Sequence, residues 1–154
     1  MVGVSPQPVL QPWSYDGRVS DSPEKLIRVS AVVLRNAEGQ VLTVRKRNTS
    51  RFMLPGGKPE PGESAAEAAV RECAEEVGAM LDSGALRPIG VFLADAANEP
   101  GWKIEGTVFE HPSVGIVGSA AEIEEMRWLD PERLPLPGDL APLLEHFVLP
   151  AIAR

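Results

Sequence analysis

The feature that most constrains this chain is a loop rich in glycine and proline that runs directly into an alanine- and glutamate-rich segment. Between residues 47 and 62, glycine and proline recur at positions where the backbone can take unusual angles or approach a ligand closely. Residues 64–77 contain neither and favour a helix, which Gly78 would end. The helical spacing predicts a buried stripe made of Ala66, Ala69, Val70, Cys73 and Val77.

The segments around this loop and helix predict a single α/β (α+β) domain, which fits a chain of 154 residues. A β-branched run that starts at Leu26 is typical of a largely buried strand. Turn residues at 36–39 separate it from a second apolar run at 41–44, and this pattern predicts a β-hairpin. Further predicted elements are strands at 86–93, 102–109 and 123–129, a turn at 130–132, and a closing helix at 140–152 that Pro150 ends or kinks.

Residues 1–25 predict an irregular N-terminal arm, so we place the folded domain at residues 26–154. The arm contains four prolines among serine, glutamine and glycine, and it has too few apolar residues for a core of its own. We expect its apolar side chains to cover a second copy in a homodimer, with packing on the same subunit as the alternative. Those side chains are Val9, Leu10, Trp13 and Tyr15.

The charge balance disfavours nucleic acid or an anionic membrane as a partner. Acidic residues outnumber basic residues 22 to 15, which gives a formal net charge of −7. A phosphate substrate stays compatible with this charge, because a bound metal ion reverses the local field. The single cysteine excludes an internal disulfide and a cysteine-based zinc site. No apolar run approaches the ~18 residues of a membrane span and no secretory signal pattern is found, so we expect a cytoplasmic protein.

Three glutamates share one face of the predicted helix beside its buried stripe: Glu72, Glu75 and Glu76. Carboxylates at this spacing repel one another, and Arg71 is the only basic residue in the helix to offset the repulsion. Clustered oxygens are what Mg²⁺ or Mn²⁺ requires, and Gly56 in the preceding loop could bring a backbone carbonyl to the same ion. From the residues alone, a solvated acidic face stays open as the alternative.

This segment resembles the complete signature of the Nudix hydrolases. The fixed residues stand at the family's spacing, Gly57-x5-Glu63-x7-Arg71-Glu72-Cys73-Ala74-Glu75-Glu76-Val77-Gly78-Ala79. Cys73 and Ala79 depart from the signature, since the family usually places bulkier aliphatic residues there, and we interpret Cys73 as a core thiol. The resemblance implies the Nudix fold, in which a mixed β-sheet is sandwiched between α-helices.

The resemblance also implies a Mg²⁺-dependent enzyme that hydrolyses a pyrophosphate bond in a nucleoside diphosphate linked to a further group X, with Mn²⁺ able to substitute. Cations would neutralise the nonbridging oxygens of the substrate and lower the pKa of a bound water. The implied metal ligands are the Gly56 carbonyl, Glu72, Glu75 and Glu76. The implied catalytic residues are Glu72, Arg71, Glu76 and Glu122.

The resemblance assigns supporting roles to other residues of the signature. Arg71 would pair with a carboxylate of the signature and fix the rotamer of that carboxylate, and Glu63 would hydrogen-bond into the loop. Gly57, Gly62 and Gly78 would serve backbone geometry. Glu72 is the first candidate general base, followed by Glu122 and Glu125. For the glutamates at 122–125, an ordinary charged edge strand is the alternative.

The substrate-binding residues are harder to predict. The basic residues Arg45, Lys46, Arg47 and Arg51 precede the loop and could hold phosphates, although a solvated basic hairpin end is as plausible for any one of them. Asn98 and Glu99 are candidates for reading the edge of a base. Trp102, Trp128 and Phe92 could stack on a base or pack inside, and we expect burial for Trp128.

Residues 95–97 lack the proline or tyrosine that marks the ADP-ribose and diadenosine polyphosphate subfamilies. This absence favours a nucleoside triphosphate or modified nucleotide as the substrate, as in MutT-like enzymes. The alternatives are an ADP-ribose or nucleotide-sugar pyrophosphatase, and a non-catalytic Nudix-type nucleotide-binding or sensor module.

Overall fold

The structure is a computed structural model that describes residues 25–153. The predicted arm and its role in a homodimer lie outside the described residues, apart from Lys25. The elements are β1 (Leu26–Leu34), β2 (Val41–Lys46), β3 (Gly56–Gly57), α1 (Ala65–Val77), β4 (Arg87–Asp95), β5 (Lys103–His111), β6 (Ile123–Leu129), a π-helical segment (Leu143–Val148) and α2 (Leu149–Ile152).

Two sheets form the centre of the domain. The larger one has the strand order β3-β1-β5-β4, with β1 and β5 parallel and the other two pairs antiparallel. The smaller one pairs β2 with β6 in antiparallel register. The larger sheet is therefore mixed, as predicted, and its parallel pair, β1 and β5, lies at the centre.

Strand β1 separates two hydrophobic clusters, and this explains its run of five consecutive buried residues, Ser30–Leu34. Successive side chains of a strand point to opposite faces. Ala31 and Val33 belong to the cluster that contains the C-terminal helical segment. Val32 and Leu34 belong to the cluster that contains the buried side of α1. Helices thus cover both faces of the mixed sheet, and the predicted fold class is confirmed.

The predicted hairpin between the first two strands is wrong. The chain does turn at Asn36–Gln40, where Asn36 N–H donates to the Gln40 carbonyl over 3.0 Å. Beyond the Arg35–Val41 bridge, however, β2 leaves β1 and pairs with β6. A short turn between two apolar runs does not specify which partner the second run takes, because strand pairing depends on the whole fold.

Helix α1 is capped at both ends, at its C-terminus by the predicted Gly78 and at its N-terminus by a residue pair that was not predicted. The Ser64 side chain accepts a hydrogen bond from Glu67 N–H while the Glu67 side chain accepts one from Ser64 N–H, a capping box. Gly78 ends the helix in the left-handed conformation at φ 68°. The buried stripe is rotated from the predicted one, since Ala68 and Glu76 are buried while Ala66 and Val70 are only half-buried.

Two further expectations are corrected. The closing helix starts at Leu143 inside the predicted range and is π-helical to Val148; Pro150 lies in the first turn of α2, which ends two residues later at Ile152. Trp128 is 38% exposed on β6, so its predicted burial is wrong. The smaller sheet has only two strands, and residues on its outward face remain partly exposed.

Candidate active site

Three carboxylates from different parts of the chain converge beside α1. One oxygen of each of Glu72, Glu76 and Glu122 lies within 4.8 Å of the other two. Glu72 and Glu76 are one helical turn apart on α1, whereas Glu122 immediately precedes β6. Hard divalent cations prefer such carboxylate oxygens. The convergence supports the prediction of a cation site and brings in Glu122, which the sequence suggested only as a candidate base.

Arg71 holds the glutamates of the signature in place. Its Nε and Nη2 donate to the two oxygens of Glu63 over 2.7 and 2.8 Å, a bidentate pair. Its Nη1 donates to Glu72 Oε2 over 3.1 Å, and Nη2 also donates to the Lys58 carbonyl over 3.1 Å. The geometry therefore agrees with the predicted role of Arg71, which orients a carboxylate of the signature, that of Glu72.

Glu63 ties this network to the loop. Its Oε1 accepts the Glu60 backbone N–H over 2.8 Å. The hydrogen bond from Arg71 and the one from Glu60 N–H lower the pKa of Glu63 to about 2. Glu63 is thus held as an anion whose position fixes Arg71, and Arg71 in turn fixes Glu72.

The two glycines of β3 let this short strand lie close to the carboxylates of Glu72 and Glu76. A Cβ on Gly56 would overlap the Ser30 carbonyl of β1, and Gly56 has a φ of 155° that disfavours other residues. A Cβ on Gly57 would overlap the Glu72 carboxylate. Gly56 N–H donates to Glu76 Oε1 over 3.2 Å. The Gly-Gly pair therefore sets the position of both α1 carboxylates relative to the sheet.

Glu76 is the most deeply buried member of the cluster, at 1% exposure. Burial raises its pKa to about 7, while the charge of Lys46 opposes this rise. Lys46 Nζ lies 3.3 Å from Glu76 Oε2, an ion pair without hydrogen-bond geometry. Oε2 is buried and accepts no hydrogen bond from the described residues, so its charged neighbour Lys46 is what compensates it in this structure.

A cleft of about 590 Å³ opens beside the carboxylates. Glu72, Glu122, Gly56 and Gly57 line one part of it, together with the basic residues Lys46, Arg47 and Lys58. Aliphatic side chains also line the cleft, and among the described residues the lining contains no aromatic side chain. Those aliphatic residues include Ile27, Val29, Met53, Leu54, Ile104, Leu143 and Leu144.

Comparison with known proteins decides the family. A family model of the NUDIX domain matches residues 25–149 of the chain. The chain belongs to the Nudix hydrolase family. One relative, from Bacillus subtilis, is provisionally named an 8-oxo-dGTP diphosphatase and is 35% identical over 107 residues, which cover 68% of this chain and 67% of the relative.

Two other relatives show how varied the Nudix fold is in function. An isopentenyl-diphosphate Delta-isomerase from Nocardia farcinica is 32% identical over 120 residues, covering 71% of this chain and 66% of that protein. The MutT protein from Methanosarcina mazei Go1 superimposes with a TM-score of 0.62 at 25% identity, covering 77% of this chain and 90% of the other. The matches thus span about two thirds of the sequence relatives and most of the structural one.

Within this Nudix hydrolase, the predicted metal ligands do not all meet. Glu75 lies outside the group formed by Glu72, Glu76 and Glu122; its side chain is 59% exposed and accepts from Arg71 Nη1 over 3.3 Å. Its role as a ligand, like that of the Gly56 carbonyl, stays a prediction. Gly62, with φ 82°, serves the turn before α1.

The predicted substrate residues divide into two groups. Asn98, Glu99 and Arg47 line the cleft. Arg45 instead donates to the Thr49 carbonyl over 2.9 Å, and Arg51 donates to the carbonyls of Gly138 and Leu140. These last two arginines tie loops together, so their assignment to phosphate binding has no support from their positions.

The glutamates after Glu122 are engaged in ion pairs. Glu124 accepts from Arg47, and Glu125 accepts from Arg45 over 3.4 Å. Both ion pairs agree with the alternative given for these glutamates, an ordinary charged edge strand in place of a general base. Cys73 is fully buried, and burial raises its pKa to about 12, which agrees with a core thiol.

Sequence reasoning missed the aliphatic wall of the cleft. Ile27 and Ile104 are direct partners in the parallel β1–β5 ladder, and Leu143 comes from the C-terminal segment. Nothing in their local sequence distinguishes them from core residues, because only the tertiary fold brings them together. Lys58 is different, since its position directly after Gly57 was a signal that could have been used.

Within residues 25–153, no helix combines the length and apolar character needed to cross a bilayer. The cytoplasmic localisation, the homodimer, the absence of a nucleic-acid or membrane partner and the domain boundaries stay predictions.

Proposed function

We propose that this Nudix hydrolase cleaves a pyrophosphate bond in a nucleoside triphosphate or modified nucleotide, with Mg²⁺ as its cation and Mn²⁺ able to replace it. The observation that carries the proposal is the convergence of three carboxylates, two of which line the cleft. A chain with a net charge of −7 needs a local positive charge to receive a triphosphate, and a cation at this point supplies it.

The fit to a divalent cation rests on the donor set. All three donors are carboxylates, and the buried Oε2 of Glu76 has no hydrogen-bond donor among the described residues. Glu72, Glu76 and Glu122 would hold the ion, which when bound would neutralise phosphate oxygens and activate water.

The chain's own residues would orient the reaction. Arg71 fixes the Glu72 carboxylate, which lines the cleft and is our candidate for accepting the proton of the attacking water. Lys58 lines the same part of the cleft and would face the phosphates of the substrate. Glu122 is the alternative proton acceptor, as the sequence suggested.

The aliphatic part of the cleft would receive the base. Ile27, Ile104 and Leu143 would contact its faces, since the described lining offers no aromatic ring to stack on it. Asn98 can both donate and accept hydrogen bonds at the edge of a base. The name given to the Bacillus subtilis relative makes 8-oxo-dGTP the first substrate to test.

A nucleotide panel tests this function. The reaction products would be separated and quantified directly by ion-exchange chromatography for 8-oxo-dGTP, the common nucleoside triphosphates, ADP-ribose and a nucleotide sugar, in Mg²⁺, in Mn²⁺ and in excess EDTA. We expect turnover of a triphosphate in either cation, a rate that rises toward alkaline pH, and none in EDTA. Full activity in EDTA would exclude the cation mechanism, and cation binding without turnover of any compound would favour the binding-module alternative.

A second candidate substrate is an isoprenoid diphosphate. The aliphatic, aromatic-free wall favours it, and one relative is named an isopentenyl-diphosphate isomerase. Adding isopentenyl diphosphate to the panel, with product identification by mass spectrometry, separates hydrolysis of this compound from isomerisation and from nucleotide hydrolysis.

A further inference from the structure

Lys46 is placed where it would compete with the cation of the proposed site. Its Nζ lies 3.3 Å from Glu76 Oε2, and the same residue lines the cleft. Glu76 is 1% exposed, so its carboxylate has lost nearly all contact with water. A charge buried in this way needs a compensating charge close by.

The geometry of the pair makes it exchangeable. Lys46 and Glu76 are joined by charge without a directed hydrogen bond, and the other carboxylate oxygen is held by Gly56 N–H over 3.2 Å. Lys46 could therefore leave while Glu76 keeps its position. About a third of the Lys46 side chain is exposed, which gives the ammonium a route into the cleft.

The backbone of Lys46 is anchored beside the third carboxylate. Its carbonyl accepts Thr49 Oγ1 over 2.7 Å, and the next residue, Arg47, donates its N–H to the Glu122 carbonyl over 2.9 Å. The strand end that supplies Lys46 is thus fixed to the segment that supplies Glu122. A divalent cation and an ammonium on the same carboxylate oxygen would repel each other.

We propose that Lys46 is a positioning residue that acts as an internal counter-ion for Glu76, holding this carboxylate ready in the cation-free protein and giving way when a divalent cation binds. This inference rests on the cation site of the proposed function. In this proposal Lys46 and the cation exchange at Glu76, and the consequences of that exchange can be measured without substrate.

The main test is Lys46→Met, which removes the charge and keeps an unbranched apolar side chain. Binding of Mn²⁺ would be measured by equilibrium titration of the full chain. We expect the Kd of the variant to be about tenfold lower than that of the native protein, because the competing charge is gone. The matched control is Lys103→Met, which removes a lysine that pairs with the exposed Asp95 over 2.7 Å and should leave the Kd unchanged.

A thermal-unfolding cycle in EDTA tests the pairing itself. Lys46→Met should lower the Tm by about 5 °C, since Glu76 loses its compensating charge. In a Glu76→Gln background the same substitution should lower the Tm by less than about 2 °C. Loss of packing around Lys46 would instead give equal effects in both backgrounds, which would overturn the proposal.

A Kd for Mn²⁺ in Lys46→Met that equals or exceeds the native value would also overturn the counter-ion role. This result is distinct from failure of the proposed function, which would appear as a native protein that hydrolyses no member of the substrate panel. A native protein that binds no Mn²⁺ would refute both.

Discussion

Glu76 combines deep burial, an oxygen that accepts no hydrogen bond from residues 25–153, and membership of the carboxylate cluster. Glu76→Gln keeps the size of the side chain and removes the charge that a cation requires. We expect kcat to fall by at least about a hundredfold, because the variant would bind less tightly the cation that neutralises the transition state. The Tm in EDTA should change little, because a neutral amide is easier to bury than a carboxylate.

The control for this substitution is Glu124→Gln, which alters an exposed carboxylate two residues from Glu122 that pairs with Arg47. Its kcat should stay within about threefold of the native value, since exposed pairs contribute little. Native turnover in Glu76→Gln would remove Glu76 from the proposed ligand set.

Strand β3 consists of two glycines, and its second one makes room for a carboxylate of α1. In Gly57→Ala the new Cβ would displace the Glu72 side chain, which is flexible, and would leave the backbone pairing with β1 intact. We therefore expect a loss of at least about tenfold in kcat with a change in Tm below about 3 °C. Steady-state kinetics and thermal unfolding measure both quantities.

Gly115→Ala is the matched control, because a Cβ there meets nothing within 4 Å and the residue has no left-handed φ. It should leave kcat and Tm unchanged. If Gly57→Ala retains native kcat, the close approach of Gly57 to Glu72 does not limit the reaction.

The elements differ in how far the sequence predicts them. Helix α1 was predicted to the residue at its C-terminus, since Gly78 is a local signal, and β6 was predicted with its exact bounds. The pairing of β2 was not, because strand partners are chosen by the whole fold. The rotation of the buried stripe was also missed, because burying Glu76 needs Lys46 and Gly56, which lie far away in the sequence.

The same distinction holds for the site. The resemblance implied that Arg71 pairs with a carboxylate of the signature, and the structure identifies its partners as Glu63 and Glu72, which lie on the same loop and helix. The contribution of Glu122 could be ranked only as a candidate, because the β2–β6 sheet brings it to α1. The aliphatic wall could not be predicted, because its residues come from three separate elements, β1, β5 and the π-helical segment.

At the scale of the molecule, the ion pair between Arg127 and Asp139 links the smaller sheet to the segment that leads into the C-terminal helix. Arg127 of β6 donates to both oxygens of Asp139 over 3.1 and 2.7 Å, and its guanidinium lies 3.7 Å from the centre of the Phe52 ring. The hydrogen bond from Arg127 lowers the pKa of Asp139 below its ordinary value. The backbone carbonyl of Asp139 also accepts a hydrogen bond from Phe52 N–H over 2.8 Å.

This pair predicts a pH dependence of stability. A carboxyl with a lowered pKa in the folded state stabilises the fold above its unfolded pKa of about 3.9, and the contribution is lost as the pH falls through the folded pKa. Asp139→Asn should therefore lower the Tm by only about 1–2 °C at pH 7, because the carboxylate is 42% exposed and solvent screens the pair. The difference should begin to shrink as the pH falls below about 4 and should disappear only below the lowered pKa of the folded protein, where the native carboxyl also becomes neutral.

Thermal unfolding of both proteins between pH 3 and pH 7 measures this convergence, and an Arg127→Gln background supplies the control. In that background the native Asp139 has lost its bidentate partner, so Asp139→Asn should change the Tm by nearly the same small amount at every pH. A pH-independent difference in the native background would show that the charge of the Asp139 carboxylate does not contribute to stability. The stability of the junction would then come from the Phe52 contacts and not from the ion pair across the two segments.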